Sequence, residues 1–237
     1  MNAVRLMNRK EVKYTVHREL LPVILGRVVE DYKILDINGE NIMPYKSVYF
    51  DTQDFKLYGA HQNGKLNRYK VRYRTYELTG SEYLEVKFKN NKKRVIKNRI
   101  KLDAEENVRK TTEFLQTALP PELQNLEQKL IIRYRRLMLV DHSETERITI
   151  DVNLKCASFD KENEYNDLAV IEIKHEGDLN KSVMAGVLSQ MKIKRLSFSK
   201  YCLGISDLCS DVKKNHMKIK NREIRKSLFL QKRLEIN

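Results

Sequence analysis

The stretch LNRYKVRYRTYE, residues 66–77, decides the fold. Side chains along a β-strand alternate between two faces, so a strand here places cations on one face and apolar or aromatic residues on the other. In an ordinary antiparallel sheet the polar face is exposed to solvent. A single strand with a row of cations would then indicate only that the protein is soluble. The cationic set is Arg68, Lys70, Arg72 and Arg74, and the opposite set is Tyr69, Val71 and Tyr73.

Three other predicted strands carry the pattern Glu-x-Lys, with an apolar residue between the two charges, at 11–13, 85–87 and 172–174. A lone pair of this kind is usually a solvated surface pair that contributes about 0–1 kcal/mol. Three copies beside a row of cations favour a different arrangement. If the sheet closes into a barrel with its apolar face outward under helices, all these charges point into the lumen.

The hydrophobic periodicity predicts about eight strands interrupted by a few helices, an α+β fold. The shared face of the charges favours closure of the antiparallel sheet into a β-barrel with helices packed outside. Pro22 is tolerated if it lies in the first turn of its helix. The predicted strands include 9–16, 46–51, 68–76, 83–89, 131–141, 146–154 and 168–176, and the predicted helices include 18–32, 103–119 and 180–191.

The net charge of +14 in 237 residues predicts a polyanionic partner, which includes nucleic acid, phosphorylated metabolites and anionic membrane surfaces. The three cysteines have no metal-binding spacing and suit reduced thiols. No apolar run approaches the roughly 20 residues of a membrane span, and residues 1–16 lack the apolar core of a signal peptide. We therefore expect a cytoplasmic protein.

A lumen lined with arginine and lysine repels itself when empty, and a strongly anionic guest would relieve that repulsion. Phosphate chains meet this requirement. The glutamates are too few to neutralise the cations, and they suit Mg²⁺ or Mn²⁺, which take carboxylate oxygens and share them with phosphates. The sequence thus indicates metal-dependent phosphoryl transfer.

Eight short segments together resemble one family, the VTC domain, which is the polyphosphate polymerase branch of the triphosphate tunnel metalloenzymes. The resemblance covers about residues 8–205. We therefore expect a tunnel domain at 8–210 and a basic helical tail at 211–237. The segments, in order, are EVKY (11–14), SVYFDT (47–52), KVRYRTY (70–76), YLEVK (83–87), YRR (134–136), RITID (147–151), VIEIK (170–174) and FSKY (198–201).

The resemblance implies an inner wall that holds a nucleoside triphosphate or polyphosphate, and an acidic residue that holds the metal. It also implies a further cation from the segment 92–102, where Lys97 is our choice over Arg99. The expected catalytic residues are Arg72, Arg74, Lys87, Arg136, Arg147 and Lys200; the expected phosphate-binding residues are Lys13, Lys70, Tyr134, Lys174, Ser199 and Lys97; and the expected metal ligands are Glu172 and Glu11.

The expected reaction is transfer of the γ-phosphate of ATP to a growing polyphosphate chain, with Mn²⁺ or Mg²⁺. Hydrolysis of triphosphate or polyphosphate and binding of polyphosphate without catalysis are the alternatives. A nucleic-acid partner is not expected, because strand alternation sends Tyr69 and Tyr73 away from the arginines, whereas stacking platforms need both on one surface. Residues 213–237 of this tail have nine lysines and arginines and two acidic residues, a charge of +7. The tail is a solvated helix or a docking site for a membrane-protein partner. The sequence does not determine the oligomeric state.

Overall fold

A computed structural model describes residues 9–92, 94–102 and 107–232. Within these ranges the chain forms ten strands and six α-helices, an α+β arrangement. The strands are β1 (Arg9–His17), β2 (Tyr32–Ile34), β3 (Ile42–Asp51), β4 (Arg68–Tyr76), β5 (Ser81–Lys89), β6 (Val95–Leu102), β7 (Glu127–Asp141), β8 (Glu146–Ser158), β9 (Lys161–Tyr165) and β10 (Leu168–Glu176). The helices are α1 (Leu21–Gly26), α2 (Lys56–Gln62), α3 (Asn107–Ala118), α4 (Val183–Gln190), α5 (Lys200–Leu208) and α6 (Asn215–Lys232).

All strand pairs in the single sheet are antiparallel. Eight strands follow the order β1-β10-β8-β7-β3-β4-β5-β6, while β2 pairs with β7 and β9 pairs with β8. Gly80 allows the chain to reverse between β4 and β5, since it adopts a φ of 64° that costs glycine little. The predicted antiparallel sheet is therefore confirmed.

The sheet curls so that strands from the two ends of this order line one cavity of about 190 Å³. Glu11 on β1 lines it together with Lys70 on β4, Lys87 on β5 and Val95 on β6. We call the face of the sheet that lines this cavity the inner face. Because directly opposite residues in an antiparallel pair share a face, the strand register assigns each remaining position to the inner or the outer face.

Apolar side chains on the outer face pack beneath helices, as the alternation predicts. One cluster joins Tyr14, Ile148 and Ile171 of the sheet to Ile24 of α1 and Met184 of α4. A second cluster joins β4 and β5 to α2 and α3. It includes Leu57, Val71, Leu84, Val86 and Phe114, with Tyr69 and Tyr73 partly buried against it.

Helix α5 covers the part of the inner face that the start of β7 and the end of β8 form. Leu130, Ile132 and Cys156 belong to the same buried cluster as residues of α5. The contact is close at Gly204, where an added Cβ would lie 2.7 Å from Leu130 Cδ2 and 3.1 Å from Cys156 Sγ. Apolar packing thus occupies one region of the inner face and leaves the other to charged residues.

Helix α6 packs against the same cluster through Met217 and Ile224. Its Gln231 is buried, and the side-chain oxygen accepts from His17 N at 2.7 Å while Nε2 donates to Thr15 O at 3.2 Å. These bonds fix the end of the helix against β1.

The prediction of one helix across 18–32 was wrong in extent. A 3-10 turn over 18–20 leads into α1, which contains Pro22 in its first turn and ends at Gly26. Tyr32 instead begins β2, and its hydroxyl donates to the buried Glu146. Of the predicted helix at 103–119, residues 103–106 lie outside the described residues, and α3 accounts for most of the rest. β9 escaped prediction because its sequence, KENEY, has no apolar alternation.

Candidate phosphate-binding site

Arg136, Asp151 and Lys200 form a buried ion-paired cluster on the inner face. Arg136 and Asp151 are cross-strand partners on β7 and β8. The guanidinium donates to both carboxylate oxygens, at 2.6 and 2.8 Å. Lys200, the first residue of α5, also donates to Asp151. Although burial opposes it, the two cations hold the pKa of Asp151 well below its ordinary value, so the carboxylate is ionised.

A second buried cluster is centred on Glu85 of β5. Arg72 Nε lies 2.5 Å from its carboxylate, and Lys97 forms an ion pair with the other oxygen. Burial acts to raise the pKa of Glu85, but Arg72, Arg74 and Lys97 lower it to about 2. Arg72 also donates to the Tyr49 hydroxyl at 3.3 Å. This carboxylate and hydroxyl fix one edge of the guanidinium by charge-assisted hydrogen bonds.

Arg74 is held without a direct carboxylate partner among the contacts that the structure shows. It donates to the Tyr134 hydroxyl at 2.8 Å and to Ser47 Oγ at 3.3 Å. Its guanidinium carbon lies 5.5 Å from the centre of the Tyr45 ring, within the range of a cation–π contact. Neutral partners orient this cation, and Glu85 interacts with its charge without a direct contact.

A third cluster joins β1 and β10. Lys13 Nζ lies 3.1 Å from Glu172, which is its cross-strand partner, and also donates to Glu11. Lys174 donates to Glu172 from the same strand. Although burial opposes it, Lys174 and Lys13 hold the pKa of Glu172 well below its ordinary value. Two carboxylates therefore converge on one lysine here.

Lys70 links the sheet to the start of α5. Its Nζ lies 3.0 Å from Ser199 Oγ, and that oxygen also accepts from Cys202 N and so caps the helix. Burial lowers the pKa of Lys70, and the nearby cations Lys87 and Lys13 lower it further. The α5 N-terminus and β4 are thus joined at the cavity.

The model of the VTC domain matches residues 8–209. The chain belongs to the VTC domain family. Its fold is that of the triphosphate tunnel superfamily and implies phosphohydrolase or phosphotransferase chemistry on triphosphates. Membership also implies triphosphate or polyphosphate ligands.

Two solved structures share the fold of this VTC domain. A candidate adenylyl cyclase from Hippeastrum, described as having a dominant triphosphatase activity, superposes with a TM-score of 0.56 at 13% identity, over 85% of this chain and 96% of the other. A candidate adenylate cyclase from Bacillus halodurans gives 0.51 at 13% identity, over 81% and 96%. No curated protein matches the sequence. Identities this low establish the fold alone.

The structure brings the predicted site residues of the VTC domain to the inner face or to the start of α5. Lys87 is opposite both Lys70 and Lys97, and Arg147 is opposite Lys174. Those that the register or the contacts place there are Glu11, Lys13, Lys70, Arg72, Arg74, Lys87, Lys97, Tyr134, Arg136, Arg147, Glu172, Lys174, Ser199 and Lys200. Their roles stay predictions.

Sequence reasoning left two central residues unassigned, Asp151 and Glu85. Each carboxylate pairs with one arginine and one lysine and orients both cations. The sequence contained a signal for the position of both residues. Asp151 shares its strand face with Arg147, and Glu85 belongs to one of the Glu-x-Lys pairs, so their positions on the charged face were predictable. Their partners were not, because pairing depends on the register between strands.

A divalent metal fits Glu11 and Glu172. Both are carboxylates on the inner face, and their shared contact with Lys13 brings them close enough to act on one cation. Beside Glu172, the buried Thr149 hydroxyl has no hydrogen-bond partner among the described residues. Within the described ranges no group of three or more His, Cys, Asp or Glu side chains is placed to hold a metal ion, so bound phosphate or water would supply further ligands. The superfamily is typically dependent on divalent metals.

The same described ranges contain no helix that is long and apolar enough to cross a membrane.

Proposed function

We propose that this VTC domain synthesises polyphosphate from the γ-phosphate of ATP in a closed tunnel whose wall is the inner face. The curl of the sheet supports closure, since Glu11 on the first strand of the order and Lys87 near its end line one cavity and interact electrostatically. A closed tunnel that excludes water strengthens the attraction between the fixed cations of its wall and phosphate.

The observation that carries the proposal is the convergence of oriented guanidinium groups on one face. Arg72 and Arg136 are each fixed by a buried carboxylate, and Arg74 is fixed by hydroxyl groups. These partners constrain the side chains before a ligand arrives. Preorganised donors of this kind stabilise charge that develops on a transferring phosphoryl group, because they need little reorganisation during the reaction.

The reaction requires no protein nucleophile. A terminal phosphate oxygen of the acceptor chain attacks the γ-phosphorus, a new P–O–P bond forms, and the bond to the β-phosphate oxygen breaks to release ADP. In this proposal Arg72, Arg74 and Arg136 bind the equatorial oxygens, while Lys87 and Lys200 balance the charge of donor and acceptor.

Mn²⁺ or Mg²⁺, held by Glu172 with Glu11, would supply neutralisation of the phosphate oxygens. Lys13 and Lys174 hold the Glu172 carboxylate in its ionised form and orient it toward the inner face. Tyr134 and Ser199 act as neutral positioning groups, because each fixes a cation of the wall, Arg74 and Lys70 respectively.

Hydrolysis of triphosphate is the second candidate. The same wall would hold a triphosphate with water as the acceptor, and the Hippeastrum protein of the same fold is described as a triphosphatase. The deciding experiment incubates the purified protein with ATP and Mn²⁺ or Mg²⁺, resolves products on a gel and measures phosphate release. Long chains with ADP support the polymerase. Free phosphate without chains supports the hydrolase, and tight polyphosphate binding without turnover supports a binding module.

Salt-sensitive binding of single-stranded or duplex nucleic acid, at least as tight as triphosphate binding, would contradict this assignment of the ligand.

A further inference from the structure

The cavity at the inner face differs from the ion-paired clusters in the charged residues that line it. Its lining contains five lysines and arginines and one carboxylate, that of Glu11. In the clusters around Asp151 and Glu85, by contrast, a buried carboxylate sits between the cations. The cavity cations are Arg68 and Lys70 of β4, Lys87 and Lys89 of β5, and Lys220 of α6.

Helix α6 closes one side of this cavity. His216, Met217 and Lys220 line it, and all three lie beyond residue 209, where the match to the VTC domain ends. Met217 is also buried in the cluster that packs on α5, so the helix is fixed in this position by apolar contact. Residues outside the family match therefore form one wall of a cavity whose other walls belong to the VTC domain.

Three of the cavity cations act on His61 of α2. This side chain lines the cavity, and its Nε2 lies 3.3 Å from Tyr69 O. Burial, together with Lys70, Arg68 and Lys220, lowers the pKa of His61 to about 2. Cations from β4 and α6 thus act on one point, which places them around a common space.

Side-chain contacts at the start of α5 link the cavity lining to the proposed transfer site. Lys70 belongs to the cavity lining and donates to Ser199. The next residue, Lys200, donates to Asp151, which holds Arg136. A row of phosphate-binding groups therefore runs from α6 to the arginines. A linear polyanion suits such a row, because its successive phosphates can each meet a cation.

We propose that this cavity is a second anion subsite, completed by Lys220 and His216 of α6, which binds the acceptor or product end of an inorganic polyphosphate chain. This inference rests on the proposed function, since it adds the path of the second substrate to the same tunnel. In this proposal ATP binds at the end of the row that the arginines form, and polyphosphate binds at the end that α6 forms.

Charge reversal at Lys220 tests the subsite. We expect Lys220→Glu to weaken binding of inorganic polyphosphate by about tenfold or more, because a cation that attracts phosphate is replaced by a carboxylate that repels it. Binding of ATP should change by less than about twofold. Both affinities are measured by calorimetry on the full chain without turnover. The matched control is Lys218→Glu, the same change on an exposed residue of α6 outside the cavity lining.

Arg68→Gln provides the same measurement from β4 if Lys220→Glu disturbs the fold, which circular dichroism and thermal unfolding would detect. A selective loss of polyphosphate binding in both cavity variants supports the subsite. Unchanged polyphosphate binding, or an equal loss of ATP and polyphosphate binding, overturns it while leaving the polymerase proposal intact. A selective loss in a protein that makes no polyphosphate supports the subsite and rejects the polymerase.

Discussion

Lys13 of β1 and Glu172 of β10 are cross-strand partners whose Nζ and carboxylate lie 3.1 Å apart on the inner face. Glu11 and Lys174 extend this contact on either side. A carboxylate surrounded in this way is ionised and oriented, which is the state a hard metal ion requires. The same surroundings make Glu172 the residue whose removal best separates metal binding from phosphate binding.

We expect Glu172→Ala to reduce metal-dependent turnover of ATP by at least about a hundredfold, since the proposed metal loses its principal carboxylate. Binding of tripolyphosphate without metal should stay within about threefold of wild type or become tighter, because a negative charge leaves a cationic wall. Turnover and calorimetry on the same preparation measure both. Glu162→Ala, which removes an exposed carboxylate on β9, is the control. Full activity in Glu172→Ala would show that the metal assignment is wrong.

Asp151→Asn should destabilise the protein by about 3 kcal/mol, because Arg136 and Lys200 would keep their charges in a buried place without a carboxylate. Urea unfolding at pH 7 measures the loss, and Asp160→Asn in the exposed turn after β8 is the control. Saturating tripolyphosphate should raise the stability of the variant more than that of wild type, since phosphate oxygens replace the missing acceptor.

The pH dependence of this difference has a defined direction. The pKa of Asp151 is lowered in the folded protein, so its contribution is present above the unfolded pKa of about 4 and is lost as the pH falls toward the folded value. The gap in free energy of unfolding between wild type and Asp151→Asn should therefore narrow below about pH 4. A gap that is constant with pH, or no gap at pH 7, contradicts the assigned ion pair.

Much of the inner face was predictable because strand alternation is a local property. The boundaries of the strand at 68–76 agree with β4, and the outward packing of Tyr69 follows from its neighbours in sequence. The contribution of α6 to the cavity could not be predicted from the sequence. Its contribution to the cavity depends on the docking of Met217 against α5, which is a long-range contact with no sequence period of its own.

The pairing of the charged side chains also could not be predicted from the sequence. Glu85 precedes Lys87 by two residues, so a local interpretation pairs these two on one face. In the structure Glu85 instead contacts Arg72, its cross-strand partner on β4, and Lys97 on β6. Register and side-chain direction decide between these pairings, and neither is set by composition.

Lys97 should make triphosphate binding sensitive to alkaline pH. Burial lowers its pKa to about 8, with Arg72 and Arg74 contributing, although Glu85 opposes the shift. Affinity for tripolyphosphate should therefore fall as the pH rises from 7 to 9, while the phosphates stay ionised because their second pKa is about 6. Lys97→Arg should flatten this dependence, since a guanidinium keeps its charge. An identical slope in the two proteins would show that Lys97 does not face the bound phosphates.

Gly204→Ala tests whether the position of α5 controls the site. An exposed glycine in a helix is normally less favourable than alanine by about 1 kcal/mol, so the substitution stabilises where space exists. At Gly204 the new Cβ would meet Leu130 Cδ2 at 2.7 Å, and we expect a loss of about 1–3 kcal/mol instead. Gly186→Ala in α4 is the matched control, because a Cβ there meets nothing within 4 Å and should stabilise the protein.

Lys200 begins α5 and contacts Asp151, so a helix pushed away from β7 also displaces a cation of the proposed transfer site. We expect Gly204→Ala to lower kcat by about tenfold at a temperature where the protein stays folded, since small displacements of positioning groups are costly. Gly186→Ala should keep the wild-type kcat. If Gly204→Ala is as stable and active as wild type, then close packing against Leu130 does not position Lys200, and the α5 N-terminus is held by its Ser199 contact with Lys70 instead.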